Sequence, residues 1–108
     1  MKKANVSMIR GDTMIFYFTV DCDQSPDFIS FAAAKNTCGD YIFNKTLGDG
    51  VERLPLNSFR INVFPEDTSN AEIGDYLYNF RVGINGDVFT FLYGTLTLLP
   101  DKIYSQGK

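Results

Sequence analysis

Apolar and polar residues alternate with a period of two along several short segments of this chain, which is the pattern of half-buried β-strands. Residues 14–20 (MIFYFTV) place their even-numbered members on one face. Residues 58–64 (SFRINVF) place their odd-numbered members on one face, and Pro65 then ends the strand because proline cannot donate to a ladder. Turn signals recur every eight to twelve residues between such runs, which is typical of a β-sandwich or barrel.

Residues 28–35 (FISFAAAK) are ambiguous between helix and strand. Three alanines favour a helix, whereas the alternation of Ile29, Phe31 and Ala33 favours a strand. Because the neighbouring segments are strands, we predict a strand here. A further short strand is predicted at residues 41–45, followed by a loop at 47–50 that contains two glycines.

Two long alternating runs flank Asn85-Gly86, which supplies the positive φ values of a type I′ hairpin turn. Pairing across this turn brings large apolar residues together on one face, so a slip by one residue would expose them. The predicted cross-strand pairs are Ile84 with Asp87, Val82 with Phe89, Arg81 with Thr90, Phe80 with Phe91, Asn79 with Leu92, Tyr78 with Tyr93, and Tyr76 with Thr95.

The segment before this hairpin predicts one short helical turn near residues 66–72, capped by Asp67 or Thr68 and closed by Gly74 in a left-handed conformation. Tyr76 then stands two residues before the inward Tyr78, which is the spacing of the tyrosine corner in immunoglobulin-like sandwiches. We therefore predict an all-β fold, an Ig-like antiparallel β-sandwich of about seven strands. Residues 1–108 have the length of a single domain.

The chain has no histidine, which removes the commonest general base and the commonest transition-metal ligand, so we expect no enzyme activity and no cofactor. The net charge is -3 with no run of Lys or Arg, so nucleic acid is not an expected partner. The N-terminal MKKANVSMIRG lacks the apolar run of a signal peptide, and no stretch is long enough to span a membrane.

Two cysteines, Cys22 and Cys38, flank the strand predicted at residues 28–35. That strand would separate them by about 25 Å at ~3.3 Å per residue, which is beyond disulfide reach. We expect two free thiols.

The tripeptide Arg10-Gly11-Asp12, followed by Thr13, matches the sequence that integrins recognise in many extracellular proteins. It lies between two predicted strands, where Gly11 can take positive φ, so we interpret it as a structural turn and do not expect integrin binding. We hypothesise that Arg10 pairs with Asp67. Other carboxylates, such as Asp21 and Asp23, are expected to be solvated loop residues.

The 16 Phe and Tyr residues exceed what one small core needs. Apolar residues on the off-core faces could form a subunit interface. These candidate interface residues are Ile15, Tyr17, Phe64, Leu77 and Leu92.

Several short motifs occur in a set order along the chain. They are Arg10-Gly11-Asp12-Thr13, Lys35 at the end of the next strand, Pro65-Glu66-Asp67-Thr68, Gly74-x-Tyr76-x-Tyr78, and Thr90-x-x-x-Gly94-x-Leu96-x-Leu98. From Met8 to Leu99 the chain resembles the small Ig-like modules of tailed-phage virion proteins, in particular the N-terminal domain of baseplate upper proteins from phages of Gram-positive bacteria.

This resemblance implies a non-enzymatic structural protein of a phage or prophage tail or baseplate. It would reside in the bacterial cytoplasm during assembly and then in the virion, docking on other virion subunits and on copies of itself. An alternative function is a carbohydrate- or cell-surface-binding module, in which Tyr17, Tyr41 or Tyr93 would stack on sugar rings.

Overall fold

The computed structural model of the chain describes residues 2–21, 23–37 and 39–100. Within those residues it contains nine β-strands and one single-turn helix. In chain order the elements are β1 (Lys2–Lys3), β2 (Val6–Ile9), β3 (Met14–Thr19), β4 (Phe28–Ala34), β5 (Tyr41–Leu47), β6 (Gly50–Leu54), β7 (Ser58–Val63), α1 (Pro65–Thr68), β8 (Gly74–Ile84) and β9 (Asp87–Leu99). Cys22 and Cys38 lie outside the described residues.

The strands are hydrogen-bonded in the order β1-β9-β8-β4-β5-β6-β7-β3, with β2 also pairing with β9. The sheet curls over between β5 and β6, which share only a two-residue parallel bridge. This divides it into a front sheet of β9, β8, β4 and β5 and a back sheet of β6, β7 and β3. The order corresponds to strands G, F, C and C′ facing strands D, E and B of immunoglobulin domains. The fold is therefore all-β and Ig-like.

The two sheets meet through aromatic side chains. The ring of Phe18 on β3 stacks on Phe80 of β8 with centroids 4.2 Å apart, and the ring of Phe16 lies 5.3 Å from that of Phe31 on β4. Phe31 is also 5.8 Å from Phe43 of β5. Burial of such rings removes large apolar areas from water, so this cluster holds the two sheets together.

The strand predicted at residues 28–35 is confirmed as β4, which lies between β8 and β5. The helix propensity of the three alanines is overridden, because as a strand this segment forms hydrogen-bond ladders with both β8 and β5. The loop predicted at 47–50 is shorter than expected, since β5 extends to Leu47 and β6 begins at Gly50. The strand at Gly50–Leu54 was not predicted.

The short helical turn is confirmed as α1, but its predicted ends are wrong. Phe64 is the N-cap residue, and Asp67 acts from inside the helix by accepting a hydrogen bond from the Phe64 N–H at 2.6 Å. The helix ends at Ser69 in a right-handed conformation. Gly74 has a φ of +132°, but it opens β8 and does not close the helix.

The type I′ turn at Asn85-Gly86 is confirmed, with φ values of +54° and +86°. The predicted register holds from Ile84↔Asp87 to Arg81↔Thr90. A β-bulge then shifts it by one residue, so Phe80 pairs with Leu92. Beyond the bulge the predicted pairs are wrong: the observed pairs are Asn79↔Tyr93, Tyr78↔Gly94 and Tyr76↔Leu96. The bulge turns Leu96 and Leu98 into the core in place of Tyr93 and Thr95.

The tyrosine corner is present at the start of β8. The Tyr76 hydroxyl donates to the Glu72 carbonyl at 2.6 Å, which fastens the segment after α1 to the strand that follows it. Two residues on, the buried Tyr78 hydroxyl donates to the Ala4 carbonyl at 2.6 Å, and burial raises the pKa of Tyr78. Gly94 permits this arrangement, because a Cβ there would overlap the Ala4 carbonyl oxygen.

Among the described residues, no helix has the length and apolar character needed to cross a membrane.

Replacing Tyr76 with phenylalanine is expected to destabilise the fold by about 0.5–1.5 kcal/mol, because the Glu72 carbonyl loses its donor while the packing of the ring is retained. Urea unfolding followed by circular dichroism measures the change. The matched control is Tyr41→Phe, since Tyr41 is 62% exposed and should tolerate loss of its hydroxyl. Equal stability of the two variants would contradict a stabilising corner.

Candidate functional site

Two of the motifs selected from the sequence, at residues 10–13 and 65–68, meet at one end of the sandwich. The turn Arg10–Thr13 connects β2 to β3, and α1 lies between β7 and β8, so both segments cross from one sheet to the other. Gly11 has a φ of +85°, and the Asp12 N–H donates to the Ile9 carbonyl at 3.1 Å, so the predicted turn is confirmed. The Gly11 N–H donates to the buried Thr68 Oγ1 at 2.9 Å. The two crossings are therefore bonded to each other.

The hypothesised pair between Arg10 and Asp67 is wrong. Arg10 Nη1 instead donates to the Ala71 carbonyl at 3.0 Å, just after α1. Asp67 pairs with Lys45 of β5, whose Nζ lies 2.7 Å from the Asp67 carboxylate. The helix begins at Pro65, so the Asp67 carboxylate turns back towards the Phe64 N–H and Lys45.

Lys45 is a site residue that was not predicted from the sequence. It is a buried lysine on the inner face of β5, and its Nζ also lies 5.0 Å from the centre of the Phe64 ring. Alternation with Phe43 could have indicated this inward position, but alternation cannot identify the partner of the charge. A buried ammonium needs a counter-charge, which Asp67 supplies. We call Arg10, Gly11, Lys45, Asp67 and Thr68 the crossover clasp.

The other residues of these motifs lie outside the crossover clasp. Asp12, Thr13, Pro65 and Glu66 are exposed. Lys35 Nζ lies 5.0 Å from the centre of the Tyr76 ring, so this motif residue contacts the tyrosine corner.

The Asn85-Gly86 turn lies beside the loop of residues 23–27, which precedes β4. There Asn85 Nδ2 donates to Gln24 Oε1 at 2.5 Å, and the Asp27 N–H donates to the Gly83 carbonyl at 2.9 Å. These bonds fasten the hairpin tip to the loop that precedes β4.

The five predicted interface residues do not form one surface. Ile15 and Tyr17 lie on the outer face of the back sheet, and Phe64 continues the same face because it is extended, with φ -95° and ψ 161°. Leu77 lies on the outer face of the front sheet. Leu92 is the wrong member of the set, since the bulge places it opposite Phe80, and its side chain packs against the core.

We call Ile15, Tyr17 and Phe64 the back-face strip. Their side chains are 45%, 66% and 41% exposed. Ile15 pairs with Asn62 on β7, and Phe64 follows Asn62 by two residues, which places the two apolar side chains diagonally adjacent.

A polar row borders the strip on β7 and β6. Arg60 pairs with Tyr17 on one side and with Glu52 on the other, and its Nη2 lies 2.6 Å from the Glu52 carboxylate. Hydrogen bonds to Glu52, and further to Tyr17, raise the pKa of Arg60. Bonds from Arg60 and then Asn62 lower the pKa of Glu52. The row is charge-compensated and leaves the strip as the apolar part of this face.

The outer face of the front sheet carries a different set of residues. The cross-strand row Asn44–Ala32–Asn79–Tyr93 lies beside the row Tyr41–Ala34–Leu77. The two alanines form the floor of a cavity of about 330 Å³, with Tyr41, Leu77 and Asn79 in its walls. Tyr41 is 62% and Tyr93 is 40% exposed. Tyr17, the third tyrosine proposed for sugar stacking, belongs to the back sheet instead.

In the part of the chain that the structure describes, no three His, Cys, Asp or Glu side chains are grouped closely enough to hold a metal ion. Asp21 and Asp23 are exposed. The expected free thiols, Cys22 and Cys38, fall outside the described residues and stay a prediction.

No protein-family model matches the chain, and no curated protein matches its sequence. Among solved structures it is similar to a candidate glycoside hydrolase from Bacteroides vulgatus, with 21% identity, a TM-score of 0.48, and coverage of 89% of this chain but only 16% of that one. It is also similar to the Ig1 domain of mouse SynCAM 2, with 24% identity, a TM-score of 0.43, and coverage of 89% of this chain and 91% of that one. Likeness at this level carries no functional conclusion, and the fold assignment rests on the chain's own strand order and registers.

Replacing Thr68 with valine is expected to cost about 1–3 kcal/mol, because the shape is nearly kept while the Gly11 N–H loses its acceptor. The midpoint of urea unfolding measures the loss. Thr68→Ser is the matched control, since it keeps the hydroxyl and removes one methyl group. If valine is tolerated as well as serine, the bond between the two crossings does not stabilise the fold.

Proposed function

We propose that this chain is a non-enzymatic assembly module of a phage or prophage virion, which acts by docking on neighbouring subunits. The observation that carries the proposal is the back-face strip, where Ile15, Tyr17 and Phe64 expose adjacent apolar side chains on one outer face. Contiguous exposed apolar surface bordered by polar residues is typical of protein interfaces.

The arrangement of the motifs supports the same function. Polar side chains that perform chemistry would have to face a cleft, whereas those of Asp67 and Thr68 are bonded to other parts of the chain. The motifs thus serve the scaffold, which leaves the outer faces for recognition. The virion setting comes from the resemblance of these motifs to phage Ig-like modules. In this proposal the chain resides in the bacterial cytoplasm during assembly and then in the particle, and its partners are virion subunits, without nucleic acid or membrane.

The proposal predicts that the chain is a stoichiometric component of phage or prophage particles. Particles purified on a density gradient, digested and analysed by quantitative mass spectrometry should contain its peptides at a fixed ratio to tail proteins. Ile15→Lys should reduce its incorporation, because a charge on the strip must be desolvated when the strip is covered. Leu77→Lys is the matched control, since Leu77 has the same 45% exposure on the opposite face. Absence of the chain from purified particles would contradict the proposal.

A second candidate function, binding of a carbohydrate, is favoured by the outer face of the front sheet. Tyr41 on β5 and Tyr93 on β9 lie on this face, and so do the amides of Asn44 on β5 and Asn79 on β8. Aromatic rings that stack on sugar faces, with amides to bond hydroxyl groups, are the chemistry that such a site needs.

If a carbohydrate binds here, wild-type protein should be retarded on affinity gels that contain a bacterial cell-wall polysaccharide. Tyr41→Ala and Tyr93→Ala should each lose the retardation, because each removes a stacking surface from this face. Tyr17→Ala, on the other outer face, is the control and should keep it. Retardation that survives both front-face substitutions would exclude this site.

A further inference from the structure

The two ends of the strand order are built differently. One end is formed by β1, a strand of two exposed lysines, Lys2 and Lys3, and by the four-residue β2, which both pair with β9. Short edge strands that carry lysine resist pairing with other chains. The other end is β3, which has six residues, no charged side chain, no proline and an uninterrupted register with β7. The first end is therefore protected where β1 lies, whereas β3, the longest of these edge strands, carries none of these protective features.

The backbone of β3 offers an unused ladder. The Val20 N–H donates to the Asn57 carbonyl at 2.9 Å, so the backbone groups of Val20 point towards β7. Because direction alternates along a strand, the N–H and C=O groups of Ile15, Tyr17 and Thr19 point away from β7. β3 pairs with β7 alone in the described part of the chain, so these groups face outwards.

The core is also open along this edge. Phe59, Ile61 and Val63 on β7 are fully buried. Their cross-strand partners on β3, which are Phe18, Phe16 and Met14, face the same core but are only half-buried. A strand added beside β3 would bond the free backbone groups and cover these side chains at once.

We propose that β3 is the pairing edge for β3 of a second copy of this chain, aligned antiparallel about a twofold axis at Phe16. In this register Ile15 lies opposite Tyr17 of the second copy, and Met14 lies opposite Phe18 of the second copy. Every side chain keeps its own face, and backbone groups that point outwards meet groups that point outwards. The two back sheets become one sheet of six strands.

A second copy fits this edge because the strand is complementary to itself. No charge lies within β3, so a twofold axis brings no like charges together, and apolar residues meet apolar residues on both faces. The flanking acids are also separated in this register, with Asp12 opposite Val20 and Asp21 opposite Gly11 of the second copy. Net repulsion is small for a chain of charge -3.

A single strand pair buries less than the roughly 800 Å² per partner of a standard stable interface, so the dimer is a weak one that depends on concentration. The inference rests on the proposed docking function, for which it names a partner. Within an assembly, where copies are held near one another, a weak contact of this kind suffices.

Sedimentation velocity from micromolar to millimolar protein tests the pairing. Wild-type protein should shift from monomer to dimer as its concentration rises. Ile15→Lys and Tyr17→Lys should each raise the dissociation constant of the dimer by about tenfold or more, since lysine blocks edge pairing. Leu77→Lys, matched to Ile15 in exposure, should leave it unchanged. A monomer at every concentration, or a dimer that both β3 substitutions leave intact, would overturn the inference.

Hydrogen exchange of the wild-type protein provides a readout that needs no variant to fold. The amides of Ile15, Tyr17 and Thr19 should gain protection as the concentration rises, while those of Phe16 and Phe18 are protected throughout by β7. A dimer without that selective protection would refute strand pairing. A monomeric chain that still enters virions would contradict only this inference, whereas a dimeric chain absent from virions would contradict only the proposed function.

Discussion

The hydrogen bond from the Gly11 N–H to Thr68 Oγ1 joins the two places where the chain changes sheet at this end of the sandwich. A sandwich of two sheets has a well-packed core only when the sheets hold one relative position, and a crossing segment that could slide would let them shear. The crossover clasp opposes such sliding, because the Gly11 N–H is bonded to Thr68 of α1 and Lys45 of β5 is paired with Asp67 of α1. Arg10 adds a bond to the Ala71 carbonyl just after the helix. The aromatic contact between Phe18 and Phe80 depends on that fixed spacing.

The clasp combines two kinds of interaction with different demands. The bond between Gly11 and Thr68 needs only correct geometry, whereas the Lys45–Asp67 pair places two charges where little water reaches them. Such pairs add little net stability but are costly to break, so they define one arrangement more than they stabilise it. The tyrosine corner continues the same function beyond the helix, since Tyr76 bonds Glu72 and carries Lys35 against its ring.

Local signals in the sequence predicted the elements that depend on nearby residues. Asn85-Gly86 specified its turn and the first four cross-strand pairs, and Tyr76 specified its corner. The bulge at Phe80/Arg81 was not predicted, because a turn specifies the register of the pairs next to it and does not mark where a strand gains a residue. Leu92 was assigned to the surface for that reason alone.

The pairing of charged side chains was the second feature that the sequence did not predict correctly. Arg10 was the predicted partner of Asp67, but the observed pairing with Lys45 follows from where α1 starts and which face of β5 carries Lys45. Both features depend on the tertiary structure and cannot be predicted from the spacing of residues in the sequence. Exposed apolar residues were predicted correctly where alternation along the strand alone determines exposure, as for Ile15 and Tyr17 on an edge strand.

Arg10-Gly11-Asp12 illustrates how tertiary context gives a short motif its meaning. A recognition tripeptide must present its arginine and aspartate together on a loop that a receptor can enter. Here the Arg10 guanidinium is bonded to the Ala71 carbonyl, the Gly11 N–H is bonded to Thr68, and the turn is fastened at both sides by β2 and β3. Presenting Arg10 to a receptor would require the clasp to open, and the Gly11–Thr68 bond that holds the two sheet crossings together would be strained or lost with it. These bonds hold the tripeptide within the fold, and they are the structural reason why we expect no integrin to bind it.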